Sequence, residues 1–113
     1  MLFTTSIFSI AVASTFTFNC EVGLSYPGKA IAPSVPWTGP LTISPATKYA
    51  NAKGTKWWLI YKSQNSVLVS YGNEKPNSFP MKNGKLQKEI FSSVLFKDGY
   101  GQQAEEVFSC TSA

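Results

Sequence analysis

The sequence predicts an α+β domain in which one short helix packs on an antiparallel sheet. Three observations predict this fold class. Apolar and polar residues alternate near both ends of the chain, a helix signal spans residues 44–54, and two hairpin signals lie between residues 56 and 97. The chain has 113 residues, which is enough for one domain. We therefore expect a single unit built from one helix and one sheet.

Residues 1–13, MLFTTSIFSIAVA, have the character of a secretory signal peptide. They carry no charged side chain and end in Ala-Val-Ala, which favours cleavage after Ala13, with Ser14 as the alternative. An ordinary N-terminal strand is the other interpretation, because Ile, Phe, Val and Thr also favour strands. No later segment has the roughly 20 apolar residues that a membrane span needs. We expect cleavage, which leaves residues 14–113 as the secreted domain.

Two cysteines lie near the two ends of this domain, Cys20 and Cys110. A single pair fits an oxidising compartment and one covalent cross-link. In the chain-entropy model, closing a loop of about 90 residues is worth about 4–5 kcal/mol. Two free, buried thiols are the alternative interpretation.

The charged residues exclude several kinds of chemistry. The ten positive charges are all lysines, the net charge is +4, and the chain has no histidine. Lysine lacks the bidentate fork of arginine, so base-specific readout of a nucleic acid is not expected. The missing histidine excludes Ser–His, Cys–His and histidine–metal sites. We predict no metal site and no cofactor.

The first part of the domain predicts a strand and then an irregular region. In residues 15–22, TFTFNCEV, aromatic residues and Cys20 alternate with polar residues, which predicts the first strand. Residues 23–45 hold most of the prolines, which forbid a long helix or a central strand there. An extended loop region is expected.

Residues 44–54, SPATKYANAKG, carry the helix signal. Ser44 can cap the helix, Pro45 suits its first position, and Gly54 can end it. Alanine and lysine favour the interior of a helix. Two to three turns are predicted, and they would be marginal without tertiary packing.

The remaining chain predicts an antiparallel meander of four or five strands. Asn83-Gly84 is the strongest short hairpin signal, and residues 63–65 form a second turn. A glycine-bearing loop is predicted over residues 98–103 and a last strand over residues 104–110. The strand sequences between them are KWWLIYK (56–62), SVLVSY (66–71), SFPM (78–81) and GKLQKEIFSSVLFK (84–97).

Several short motifs together resemble a known group of proteins. Phe18-Asn19-Cys20 is similar to the aromatic-x-Cys motif, and the tail VFSCTSA to the closing FVECT, of the RNase-like effectors of powdery mildew fungi. SFPM is similar to the EFPI or EWPI strand of the fungal guanyl-specific ribonucleases. The resemblance implies a microbial ribonuclease-like fold, with a Cys20–Cys110 disulfide joining the first and last strands. Residues 23–55 match little of it.

The resemblance also implies that catalysis has been lost. Ser78 occupies the place of the catalytic glutamate, and a serine hydroxyl cannot act as a base at neutral pH without another base to activate it. Residues 97–100 fill the loop that supplies the acid histidine in the ribonucleases, and Lys88 replaces the arginine. The expectation is a ribonuclease-like protein that is not an enzyme.

The predicted binding residues belong to the former substrate face. Trp57 and Trp58 should point to opposite faces of a strand, and the outward indole can either cover the fold or stack on a ligand. Lys82, Lys85, Lys88 and Lys97 are predicted to lie close together, as a solvated edge or a weak phosphate contact. The candidate binding residues are Trp58, Tyr61, Ser78, Lys88 and Tyr100.

These inferences predict a secreted, monomeric fungal virulence effector that acts by binding. The partner is a host plant protein or, weakly, RNA, and translocation into the host cell is left open. Two alternatives come from other classes. One is an active secreted ribonuclease or ribotoxin with displaced catalytic groups. The other is a small carbohydrate- or wall-binding module that uses Trp57 or Trp58.

Overall fold

A computed structural model describes residues 15–34 and 40–113. The predicted signal peptide, residues 1–13, and its cleavage site lie outside these residues. The described chain contains strands and no helix. The strands are β1 (Phe16–Ser25), β2 (Ala32–Pro33), β3 (Leu41–Ile43), β4 (Tyr49–Asn51), β5 (Trp57–Ser63), β6 (Ser66–Tyr71), β7 (Asn77–Lys82), β8 (Lys85–Leu86), β9 (Ile90–Lys97) and β10 (Gln103–Ser112).

The strands form two antiparallel sheets. Sheet I has the order β2-β1-β10-β9, and β3 also pairs with β1. Sheet II is the meander β4-β5-β6-β7-β8. The predicted α+β fold with one sheet and one helix is therefore wrong, and with it the ribonuclease-like architecture. Residues 15–34 and 40–113 form an all-β structure.

The hydrophobic core lies between the two sheets. Side chains at alternate positions of β1 point inward, from Phe16 to Val22, as the period-two pattern predicts. Sheet II contributes its own buried rows from β5 and β6, and the two sets form one cluster. The largest fully buried side chains come from both sheets: Trp57, Phe18, Phe108, Ile43, Leu59, Ile90, Val67 and Val69.

Trp57 connects the two layers of the sandwich. Its indole stacks on Phe108 of β10, with ring centroids 5.3 Å apart and planes 9° from parallel. Its Nε1–H donates a hydrogen bond of 2.8 Å to Oε1 of Glu106. A buried indole needs a partner for its N–H, and here that partner belongs to the opposite sheet.

The predicted Cys20–Cys110 disulfide is present and joins β1 to β10. The two cysteines lie directly opposite each other in the register, with their Cα atoms 4.0 Å apart. They are 90 residues apart in the chain. The cross-link therefore fastens the first described strand to the last one within sheet I.

The predicted helix over residues 44–54 does not form. Ser44 does cap one turn: its Oγ accepts the backbone N–H of Thr47 at 3.1 Å, and its carbonyl accepts that of Lys48 at 2.8 Å. Lys48 then takes a positive φ of 57°, which ends the turn, and Tyr49–Asn51 becomes β4. An isolated helix of this length is only marginally stable. Pairing with β5 and the complete burial of Ala52 therefore stabilise a strand at these residues more than a helix.

The turn predictions are confirmed. Asn83 and Gly84 both have positive φ, 52° and 76°, and join β7 to β8, as a hairpin turn of the Asn-Gly type requires. Residues 64–65 connect β5 to β6, and residues 98–102 connect β9 to β10. The meander has five strands, within the predicted number, but its members differ: β4 joins it, whereas β9 leaves sheet II and pairs with β10 in sheet I.

Candidate functional site

The adjacent tryptophans of β5 point to opposite faces of sheet II. Trp57 is 1% exposed and belongs to the core, whereas Trp58 is 38% exposed. The prediction that the Trp-Trp pair presents one indole to each face is confirmed. Trp58 is therefore available on the outer surface of the sandwich.

Trp58 belongs to a continuous surface that we call the Tyr49–Trp58 face. It is the outer side of strands β4 to β7, and the register of the meander defines its members. They are Tyr49 and Asn51 of β4, Trp58, Ile60 and Ser63 of β5, Ser66, Leu68 and Ser70 of β6, and Ser78, Pro80 and Lys82 of β7. Lys62 is exposed at the bulge between Tyr61 and Ser63, where the register gives it no partner on β6.

Two aromatic side chains dominate one edge of this face. Tyr49 is 59% exposed and lies opposite Ile60, so it is the diagonal neighbour of Trp58. Diagonal neighbours on an antiparallel pair lie about 7–8 Å apart. Ser70 lies directly opposite Trp58 and is only 7% exposed. Tyr49 and Trp58 thus lie on neighbouring strands of one face, and the covered Ser70 lies on the β6 side of Trp58.

Backbone hydrogen bonds fix the position of this aromatic pair. The turn that Ser44 caps delivers the chain into β4, and the carbonyl of Lys48 accepts the N–H of Tyr61 at 2.6 Å. Asn51 lies opposite Trp58, and its Nδ2 donates to the carbonyls of Thr55 and Trp57 at 3.1 and 2.9 Å. The edge strand is therefore held in register beside the indole.

The other half of the face carries hydroxyl groups. Ser66 and Ser78 lie on neighbouring strands, and their Oγ atoms are 2.7 Å apart, in hydrogen-bonding distance. One hydroxyl donates to the other, so the accepting hydroxyl keeps its own O–H for a ligand. Leu68 lies opposite Ser78 and fills the space between this pair and Ile60.

The charge around Tyr49 and Trp58 is low, because strands β4, β5 and β6 contain one charged residue, Lys62. The lysines predicted to lie together do so only in part. Lys82 of β7 points outward and lies opposite Lys85 of β8, whereas β9 separates Lys88 from Lys97, and eight residues of strand span on the order of 25 Å. The positive charge of this group therefore lies at the β7–β8 edge of sheet II, opposite the edge formed by β4.

The predicted binding residues are distributed over both sheets. Trp58 and Ser78 share the Tyr49–Trp58 face, whereas Tyr61 faces the core side and stacks on Phe16 at a centroid distance of 6.0 Å. Lys88 lies in the connection between β8 and β9, and Tyr100, 98% exposed, lies in the turn between β9 and β10. These five residues do not form one concave surface.

A second cluster joins two loops of sheet I. The hydroxyl of Tyr26 donates to Oδ2 of Asp98 at 3.0 Å, and the N–H groups of Tyr100 and Gln102 donate to Oδ1 at 2.9 Å each. An open groove of about 380 Å³ lies beside it, with Lys29 among its lining residues. The Tyr26 hydroxyl is already committed to Asp98, so this cluster fastens the loops together.

The hydrogen bonds of this cluster shift two pKa values in opposite directions. Burial acts to raise the pKa of Asp98, but the donors of Gln102, Tyr100 and Tyr26 outweigh it and lower that pKa below its ordinary value of 3.8. The hydrogen bond to Asp98 raises the pKa of Tyr26 above 10.0, and burial and the negative charge of Asp98 act in the same direction. At pH values between the pKa of Asp98 and the pKa of Tyr26, the neutral phenol and the carboxylate stabilise each other.

Tyr49 is the residue of the face that the helix prediction obscured. In the sequence Tyr49-Ala50-Asn51-Ala52 the small residues alternate with larger polar ones, and that period of two is a strand signal. The structure buries Ala52 and leaves Tyr49 outside. The alternation is only four residues long, and the capping signal at Ser44 is more conspicuous.

Comparison with known protein families, with curated proteins and with solved structures finds no match. Within residues 15–34 and 40–113, no group of three or more His, Cys, Asp or Glu side chains could hold a metal ion. The same residues include no helix with the length and apolarity needed to cross a bilayer. Any assignment of function therefore depends on the chemistry of the surfaces described above.

Proposed function

We propose that the protein is a secreted, noncatalytic binding module that holds a neutral polysaccharide on the Tyr49–Trp58 face. The observation that supports this proposal is the pair of exposed rings, Tyr49 and Trp58, set diagonally among hydroxyl and amide side chains. One side of a sugar ring presents polarised C–H groups, which pack on the negative face of an aromatic ring. The sugar hydroxyls then need hydrogen-bonding partners, and the serine pair supplies them.

The low charge around Tyr49 and Trp58 favours a neutral ligand over a polyanion. RNA binding draws most of its affinity from lysine and arginine contacts with phosphates. Strands β4, β5 and β6 contain one lysine, Lys62, and the paired Lys82 and Lys85 lie at the far edge of sheet II, on β7 and β8. A polysaccharide does not need such contacts, because stacking and hydrogen bonds supply its binding energy.

The rigidity of the face supports binding without rearrangement. Tyr49 and Trp58 stand on paired strands, and the amide of Asn51 is fixed by its two bonds to backbone carbonyls. Aromatic side chains have only two rotatable bonds, so little conformational entropy is lost when a ligand packs on them. A preorganised surface loses less free energy on binding than a mobile one.

The disulfide supports placing the protein outside the reducing cytosol. The chain contains no histidine, and this absence supports a noncatalytic role. The effector role expected from the resemblance depended on a ribonuclease-like fold, and the all-β architecture removes that premise. We therefore prefer the binding module.

Retention on insoluble polysaccharides tests the proposal. The purified domain is mixed with β-glucan, cellulose or chitin, and the protein left in solution is measured over a concentration series. We expect retention on at least one of them, with a Kd on the order of 10–100 µM. Trp58→Ala should weaken retention at least tenfold, because most of the stacking surface is lost. Tyr49→Ala should have a smaller effect in the same direction.

Tyr100→Ala is the matched control, because it removes an aromatic ring that is even more exposed and lies in the turn between β9 and β10 of sheet I. Retention that Tyr100→Ala abolishes and Trp58→Ala leaves intact would refute the proposal. A titration with single-stranded RNA at two salt concentrations separates the classes further. Affinity for RNA would fall steeply with salt, whereas retention on a neutral polysaccharide should change little.

A further inference from the structure

Strand β9 forms an edge of sheet I. Among the described residues β9 pairs with β10 alone, so its other side presents backbone N–H and C=O groups without a strand partner. The strand is eight residues long, Ile90–Lys97, and contains neither proline nor glycine. Charged residues, prolines or bulges usually interrupt an edge of this length and prevent it from pairing with another chain. Here the run from Ile90 to Phe96 carries no charge.

The same edge exposes apolar side chains. Phe91 and Leu95 point to the outer side of sheet I and are 54% and 67% exposed. Phe96, on the other side of the strand, is 36% exposed. Contiguous exposed apolar residues on a protein surface mark an interaction site. An edge strand and an apolar patch therefore coincide at β9.

The charges that flank β9 indicate which partner fits this edge. Lys88 and Glu89 precede the strand, and Lys97 and Asp98 end it. Ser93 lies at the midpoint, so Glu89 and Lys97 are equally distant from it and have opposite charges. A second copy of the strand, turned through a two-fold axis at Ser93, would present the complementary charge at each end.

We propose that β9 pairs antiparallel with β9 of a second copy of this chain, about a two-fold axis at Ser93. In that register Glu89 lies opposite Lys97 of the second copy, and Phe91 lies opposite its Leu95. Every apolar residue of one strand meets an uncharged residue, and every charge meets its opposite. Sheet I becomes one continuous sheet through both copies, in a dimer with an isologous interface.

The neighbouring registers are less favourable. A two-fold axis at Val94 would place Phe91 opposite Lys97, and an axis at Ser92 would place Glu89 opposite Leu95. If one strand slid by a single residue along the other, outward residues of one copy would lie opposite inward residues of the second. The outer faces of the two copies would then lie on opposite sides of the sheet. A parallel, in-register pair would place each charge opposite its own kind. The antiparallel register at Ser93 is therefore the most complementary of these. The dimer departs from the monomer expected from the sequence, and it is independent of the polysaccharide proposal.

Charge reversal tests this register directly. In a symmetric dimer, Glu89→Lys converts both Glu–Lys contacts into Lys–Lys contacts, and Lys97→Glu converts both into Glu–Glu contacts. Cross-strand charge pairs contribute about 0.2–1 kcal/mol each. We therefore expect either single variant to weaken dimerisation roughly tenfold or more, measured by sedimentation equilibrium up to about 500 µM. The double variant should dimerise like the original chain.

Mixing the two single variants gives the sharpest result. A heterodimer of Glu89→Lys with Lys97→Glu has an attractive pair at both ends, so the mixture should associate more tightly than either component alone. Glu74→Lys and Lys53→Glu make the same charge changes at exposed turn positions and should leave dimerisation unchanged. A chain that stays monomeric over the whole concentration range would overturn the proposal. So would single variants that dimerise as well as the original protein, or a mixture that stays monomeric.

Discussion

The two sheets of this sandwich differ in how far apart their paired strands lie along the chain. In sheet II each strand pairs with the next one in sequence through short turns. In sheet I, β1 pairs with β10, and the opposed residues Cys20 and Cys110 are 90 residues apart. Closing a long loop costs conformational entropy that a short hairpin does not. The disulfide lies in sheet I, where the pairing of β1 with β10 has this entropic cost. The difference between the sheets therefore accounts for the position of the cross-link.

Removing the disulfide should produce the largest loss of stability. The double variant Cys20→Ala/Cys110→Ala should lower the free energy of unfolding by about 4–5 kcal/mol, because the unfolded chain regains its loop entropy. Urea denaturation measures this loss, and hydrogen exchange should show sheet I opening before sheet II. A loss below about 1 kcal/mol, or equal exchange in both sheets, would contradict the comparison.

Trp57→Phe tests the contact that couples the sheets. It removes the hydrogen bond to Glu106 and part of the stacking on Phe108, so stability should fall by about 2–3 kcal/mol. Trp58→Phe makes the same chemical change on the outer face and should stay within about 0.5 kcal/mol. Chemical denaturation of both variants checks the difference. Equal effects at the two positions would mean that Trp57 does not couple the layers.

A smaller effect is expected in the hairpin of sheet II. Gly84 has a φ of 76°, and an added Cβ would lie 3.5 Å from the Phe16 ring of sheet I. Gly84→Ala should therefore cost about 1 kcal/mol, mainly because alanine disfavours this backbone conformation. Gly99→Ala is the control, since no heavy atom lies within 4 Å of a Cβ there and no positive φ is present. Thermal unfolding that ranks Gly99→Ala as the worse variant would exclude this explanation.

The smallest expected effect concerns the loop contact between Tyr26 and Asp98 in sheet I. The lowered pKa of Asp98 means that its contribution is complete above its unfolded pKa of about 3.8 and disappears as pH falls through the folded value. The raised pKa of Tyr26 means that its contribution is complete below about 10.0 and disappears as pH rises through the folded value. Asp98→Asn should flatten the acid limb of a stability–pH curve. An unchanged acid limb would show that the contact does not stabilise the fold.

The sequence predicts the parts of this fold that depend on local patterns. The alternation of apolar and polar residues identified β1, and the Asn83-Gly84 pair identified the hairpin between β7 and β8. The Trp57-Trp58 pair identified one buried and one exposed indole. These features need only the side-chain period of a strand and the backbone preference of a turn. Each of them involves residues that are close in sequence.

The features that the sequence did not predict depend on tertiary contacts. The cap at Ser44 forms as expected, but the choice between helix and strand after Lys48 depends on the free edge of β5. Similarly, the pattern of β9 is that of any strand, and nothing local says that it pairs with β10 instead of β7. For the same reason Tyr49 could not be assigned to the candidate site, because its neighbours there come from β5.

The position of Cys110 has a consequence for the timing of folding. The hairpins of sheet II can form in microseconds once their residues are available, whereas β1 must wait for β10, which is synthesised after all the other described strands. Until β10 is available, Cys20 is therefore a thiol on an unpaired strand. Because the chain has only two cysteines, no incorrect disulfide can form within one molecule. Oxidation can only complete the native pairing or link two different chains.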